Sequence, residues 1–150
     1  FKKKKIDFFV RICGDRVFFD SKKIDQIIKI LKKKNLRFDL LSSNLVKKVD
    51  KGLTIEIIST KGINKIFKLN KKISKYDQEH ITSNFYKFKK KYDLKKINLP
   101  KYFFLNLKYT IDEKIDVIRT KYILNNLKNN SFSEIVKNNI NWKKNEKKII

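Results

Sequence analysis

The tightest constraint on this chain is the stretch "DSKKIDQIIKILKKKN", residues 20–35. Ile24, Ile27, Ile28 and Leu31 fall at i, i+3, i+4 and i+7, a spacing that gathers apolar side chains on one face of an α-helix. Asp20 or Ser21 can cap its start, and lysines fill the opposite face. On either side lie β-rich segments: a strand over about Ile6 to Ile12, and "LRFDLL". A helix with one apolar face needs such a sheet to cover.

The rest of the chain extends the pattern. "CGDRVFFD" reads as a loop punctuated by Gly14, and "LTIEIIST" as a third strand. Lys61 and Gly62 permit a tight turn into "INKIFKLNKKI", where Ile63, Ile66 and Leu69 support an extended arm. "FYKFKKKYDLKK" predicts a helix capped by Ser83 or Asn84, with Phe85, Phe88 and Tyr92 on one inward face. Pro100 stops it, and "KYFFLNLKY" follows as a strand. This order predicts an α+β fold of the ferredoxin-like, split βαβ (βαββαβ) kind over residues 1–110, with an extended β-ribbon. "TIDEKIDVIRTKYILNNLKNN" begins with a capping box, Thr110 to Glu113, and carries Ile111, Ile115, Ile118 and Tyr122 along one stripe; Ser131 and Glu134 repeat the device. Residues 111–150 therefore read as a helical C-terminal extension.

Charge narrows the partners. Lys and Arg number 39 against 15 Asp and Glu, a net +24 with a pI near 10.1, spread over the whole chain. Ala is absent and Arg numbers four, the usage of an AT-rich gene, which explains lysine in place of arginine but not the shortage of carboxylates. A polyanionic partner fits that imbalance. The longest apolar runs are too short to span a membrane, and the single cysteine, Cys13, excludes a disulfide framework. With no Met, even at position 1, the sequence reads as lacking its true beginning.

Chemistry-bearing residues are few. His80 has no metal-ligand spacing, Cys13 has no histidine near it, and no Gly-rich phosphate loop occurs. "CGDR" has two readings, a tight acidic turn near a phosphate or metal and a common Gly-Asp loop, and the second is the more frequent. Asp112, Glu113 and Asp116 complement the dipole of the helix they begin. The expectation is a chain with no catalytic residue, metal, cofactor or small-molecule substrate. Its candidate RNA-binding residues are Lys47, Lys48 and Lys51 before the third strand, Lys61, Lys65, Lys68, Lys71 and Lys72 on or beside the ribbon, and Lys87 and Lys90 on the back of the second helix.

The layout resembles the S-ten family of small-subunit ribosomal proteins over residues 6–110. "FFVRI" followed by "KIDQIIKILKKKNLRF" is similar to that family's first strand and helix, with an Ile-Asp-Gln step. "LTIEIIS" is similar to its third strand, "INKIFKLNKKI" to the second limb of its ribbon, "YKFKKKYDL" to its second helix, and "LPKYFFLNL" to the Leu-Pro turn into its final strand. The resemblance implies a structural constituent of the small ribosomal subunit, with the ribbon in ribosomal RNA and neighbouring ribosomal proteins against the sheet; the AT-rich usage puts that ribosome in an organelle, a mitochondrion first and otherwise another AT-rich organelle or an endosymbiont. The alternative is a basic accessory subunit of an organellar membrane complex, meeting anionic lipid.

Overall fold

The computed structural model describes residues 6–45, 49–69 and 73–149. Helix α1 (Ser21–Lys34) forms as its periodicity predicts. The Asp20 carboxylate accepts from the Lys23 N–H at 2.9 Å, Ile24, Ile27 and Leu31 are buried, and Asn35 ends the helix in the left-handed region at φ 44°.

Four short strands make the sheet: β1 (Phe8–Arg11), β2 (Leu40–Ser42), β3 (Glu56–Ser59) and β4 (Leu94–Lys96). Their order is β1-β3-β2-β4, with β3 antiparallel to β1 and β2, and β2 parallel to β4. Strand periodicity divides the apolar residues between two layers. Leu41 and Ile57 join Phe38, Phe103 and Tyr109 on one face, while Leu40 and Ile58 join Ile66, Phe85 and Tyr92 on the other. The class is α+β, as expected.

Three segments depart from the expected arrangement. "INKIFKL" is not a ribbon limb but part of helix α2 (Thr60–Leu69). Its i, i+3 apolar spacing serves a helix once Ile66 is buried beneath Phe85 and Tyr92. Gly62, read as a turn residue, sits in the first turn of α2, where its N–H donates to Ser59 Oγ at 2.9 Å. A Cβ there would lie 2.4 Å from the Asp39 carbonyl oxygen, so the glycine is needed for close approach.

"FYKFKKKYDLKK" is divided among α4 (Ser83–Lys87), which follows the short helix α3 (Lys75–Glu79), a 3₁₀ turn (Lys89–Lys91) and β4. Phe85 and Tyr92 meet edge to face at 4.8 Å in the second cluster, whereas Phe88 stays at the surface beneath the Lys91 ammonium. "KYFFLNLKY" supplies a 3₁₀ turn at Lys101–Phe103 and a loop, not a strand.

Residues 111–149 share the main core. Helix α5 (Lys114–Asn125) contributes Ile123, and helix α6 (Phe132–Ile149) contributes Val136, while Phe132 stacks near Phe103 and Tyr109. The inward face of α5 is Asp116, Arg119, Thr120 and Ile123, so the expected stripe is rotated and Ile118 is exposed. A buried ion pair fixes that rotation: Arg119 donates to Asp116 at 2.7 Å and to the Thr110 carbonyl at 2.7 Å. Ser131 Oγ accepts from the Glu134 N–H at 3.3 Å, the expected cap of α6.

Candidate functional site

At one end of the sheet, three loop segments enclose a cleft of about 880 Å³, within the size range of small-molecule sites. The first wall is the turn Cys13–Arg16 after β1, closed by the Arg16 N–H on the Cys13 carbonyl at 3.1 Å. The second is the approach to β3, residues 49–54, and the third is the loop 104–110. Main-chain bonds tie the walls together: Ile111 N–H donates to the Asp15 carbonyl at 3.0 Å and Tyr109 N–H to the Lys51 carbonyl at 2.7 Å.

Gly52 makes that second contact possible. Its φ is 98°, and a Cβ would stand 2.9 Å from the Tyr109 carbonyl carbon. Asp50, 5% exposed, fixes the opposite turn by accepting the N–H groups of Leu105 at 3.1 Å and Asn106 at 2.8 Å.

The polar lining is mixed in charge. Arg16 reaches across to the Thr54 carbonyl at 2.5 Å. Lys51 and Lys108 converge on the Asp112 carboxylate at 2.9 and 3.1 Å, and Lys108 also bonds Asp116. The bond from Lys51 first, then those from Thr110 and Lys108, hold Asp112 well below the usual carboxylate range. Burial works to raise Asp116, but Lys108, the backbone N–H groups of Asp112 and Glu113, and Arg119 outweigh it and keep its pKa at about 2. Asp116, chiefly, raises Lys108 above its ordinary value. Carboxylates therefore position both lysines at the cleft. The Asp15 carboxylate lines the cleft with no hydrogen bond or ion pair among the described residues.

Of the lysines singled out in the sequence, Lys51 stands in this cleft. Lys65 is held by buried Asp39 at 2.9 Å and lies over the Tyr92 ring, and Lys87 is held by Asp77 at 2.7 Å. Lys61 and Lys68 are exposed on α2, and Lys90 on the 3₁₀ turn. Lys47, Lys48, Lys71 and Lys72 lie outside the described residues. Sequence reasoning missed Arg16 and Lys108 and passed over Asp15. The signals were the Gly-Asp turn and the glycine after Lys51, each common alone and meaningful only once the fold brings them together. His80 packs edge to face on Tyr76, away from the cleft lining.

An α+β body with helices on both sheet faces and a charged cleft at one sheet end defines the class. No protein-family model matches the chain, and no curated protein matches it. Among solved structures it is similar to a cytidylyltransferase from Leptospira borgpetersenii serovar Hardjo-bovis (strain JB197), with a TM-score of 0.77 and 23% identity. The likeness covers 96% of this chain and 59% of that one, so the chain spans well under two thirds of its neighbour.

At that identity the likeness shows the fold, and it overturns the resemblance to S-ten ribosomal proteins. With it go the expected role in an organellar ribosome or membrane complex, the ribosomal RNA and ribosomal-protein partners, and the expectation of a non-enzyme without a small-molecule substrate. The segment expected to insert into RNA as a ribbon is helix α2. Among the described residues no helix is long and apolar enough to cross a membrane.

Proposed function

We propose that this chain is part of a nucleotidyltransferase-type enzyme, and that the cleft holds the reacting phosphates of a nucleotide substrate. One observation carries the reading: Arg16, Lys51 and Lys108 gather around a cleft also lined by the Asp15 carboxylate, which has no partner among the described residues, in a fold like that of a cytidylyltransferase. In nucleotidyl transfer an acceptor oxygen attacks the α-phosphorus of a nucleoside triphosphate and pyrophosphate leaves. Such chemistry asks a protein mainly for alignment and charge neutralisation.

Lys51 and Lys108 supply point charges for phosphate oxygens, and Arg16 a planar fork. Asp112 keeps the two ammonium groups together before substrate arrives. The described residues contain no group of three or more His, Cys, Asp or Glu placed for a metal. Magnesium, however, is usually held by one or two carboxylates together with substrate phosphates. Asp15, the cleft carboxylate with no hydrogen bond or ion pair among the described residues, would hold an ion carried in that way, and the ion would neutralise charge on the departing phosphates.

Calorimetric titration with CTP and magnesium tests the reading. Saturable binding is expected, weakened at least about tenfold in a Lys51→Gln/Lys108→Gln variant, since each charge-assisted bond contributes about 1.5–3 kcal/mol. Absence of binding, or equal affinity in wild type and variant, would sink the proposal.

A further inference from the structure

The third cleft wall belongs to no strand, yet its backbone is bonded almost as a strand would be. Lys108 and Thr110 form single bridges with Lys51 and Arg16, and the N–H groups of Tyr109 and Ile111 donate to the other two walls. The carbonyls of the alternate residues Asn106, Lys108 and Thr110 are taken by side chains of the C-terminal helices. Lys143 of α6 donates to Asn106 at 2.8 Å, Asn139 of α6 to Lys108 at 3.0 Å, and Arg119 of α5 to Thr110 at 2.7 Å. Three side chains thus replace the N–H groups of a neighbouring strand. Asn139 and Lys143 stand four apart, on one face of α6. Asn138, the adjacent buried amide, bonds within the helix pair instead, to the carbonyls of Asn126 at 3.2 Å and Glu134 at 3.0 Å.

Lys108 is consequently held at both ends. Its carbonyl is fixed by Asn139, which is 1% exposed, and its ammonium by Asp112 at 3.1 Å and by buried Asp116. A lysine is otherwise a point charge on a flexible four-carbon stem, and a charge fixed before the ligand arrives needs no reorganisation to meet it. We propose that Asn139 is a positioning residue for the cleft: through the Lys108 carbonyl it sets where the Lys108 ammonium meets the phosphates of the substrate. Helix α6 thereby takes part in recognising a polyphosphate without lining the cleft through this residue. The inference rests on the nucleotide reading of the cleft and adds to it a residue far along the chain, in a helix otherwise occupied with the core.

The test joins CTP titration to NMR of the side-chain ammonium groups in chain carrying isotope-labelled lysine, the Lys108 signal being assigned by its loss in Lys108→Gln. Asn139→Leu keeps the volume but cannot donate. It should displace or broaden the Lys108 signal and weaken CTP binding about tenfold, the loss expected for one misplaced charge-assisted bond. Asn138→Leu removes an equally buried amide from the same helix and should lower Tm while leaving the Lys108 signal and CTP affinity as in wild type. Should Asn139→Leu fail to fold, Lys143→Met, an exposed change that frees the Asn106 carbonyl, must displace the Lys108 signal in its place. An unmoved Lys108 signal, a signal moved equally by Asn138→Leu, or a displaced signal with unchanged CTP affinity would each overturn the inference while wild type binds CTP. A wild-type chain that does not bind CTP would instead sink the nucleotide reading and the phosphate half of this inference with it.

Discussion

Replacing Asp116 by Asn tests whether the buried ion pair holds the cleft and the C-terminal helices together. The carboxylate is 1% exposed and takes bonds from Arg119 at 2.7 Å, from the N–H groups of Asp112 and Glu113 at 2.9 and 3.0 Å, and from Lys108. Asn fills the same volume but leaves the Arg119 guanidinium, 6% exposed, without its counter-charge. A pKa lowered from 3.8 to about 2 corresponds to about 2 kcal/mol of folding stability. Removing one member of a buried pair costs about 3–5 kcal/mol.

A loss of about 3 kcal/mol at pH 7 follows, or roughly 6–12 °C in Tm for a chain of this size. Because the folded pKa lies below the unfolded one, the contribution is complete above about pH 4 and is lost as pH falls towards 2. Urea unfolding followed by the fluorescence of Trp142, which packs 5.5 Å from the Tyr122 ring on α5, reads this region directly. The gap between wild type and variant should be widest near neutrality and should shrink below pH 4. A double change with Arg119→Met should cost less than the sum of the single changes. A gap below about 1 kcal/mol at pH 7, or one that does not change down to pH 2, would refute the reasoning.

Phe85→Ala empties a fully buried site in the second cluster and should cost about 3–5 kcal/mol in chemical unfolding, with CTP affinity retained because that cluster is remote from the cleft lining. Gly52→Ala meets both a positive φ and the Tyr109 backbone; a loss of at least about 2 kcal/mol by thermal melt is expected, together with weakened CTP binding as the 49–54 wall shifts. Asp20→Ala removes the α1 cap and should lower stability by about 1 kcal/mol in the same melt, leaving the site intact.

The sequence made some elements legible because one physical signal dominated each. Helix α1 combined a cap, a clean apolar stripe and a lysine face, and it formed where expected. The strands around Val10, Leu41 and Ile57 were legible from β-branched, two-sided burial. Where period was ambiguous, tertiary contact decided. Ile63 and Ile66 suit a strand arm or a helix alike, and burial of Ile66 under Phe85 selected the helix. The aromatics of residues 85–92 do not form one face, since the backbone turns between Phe85 and Tyr92 and leaves Phe88 outside.

The cleft was hidden for a different reason. Its charged residues, Asp15, Arg16, Asp50, Lys51 and Lys108, with Asp112 bracing the two lysines, come from segments far apart in sequence, and most lysines that dominated the composition lie elsewhere. Net charge suggested a polyanion without indicating that a few cations held by carboxylates would define the site.

The most direct test of the central claim is to record backbone amide NMR shifts of the isotope-labelled chain while CTP and magnesium are added. Saturable shifts are expected in the three cleft walls, at residues 13–16, 49–54 and 104–110. Shifts confined to the exposed lysines of residues 87–91, growing without saturation and vanishing with added salt, would mark non-specific polyanion binding and contradict the account.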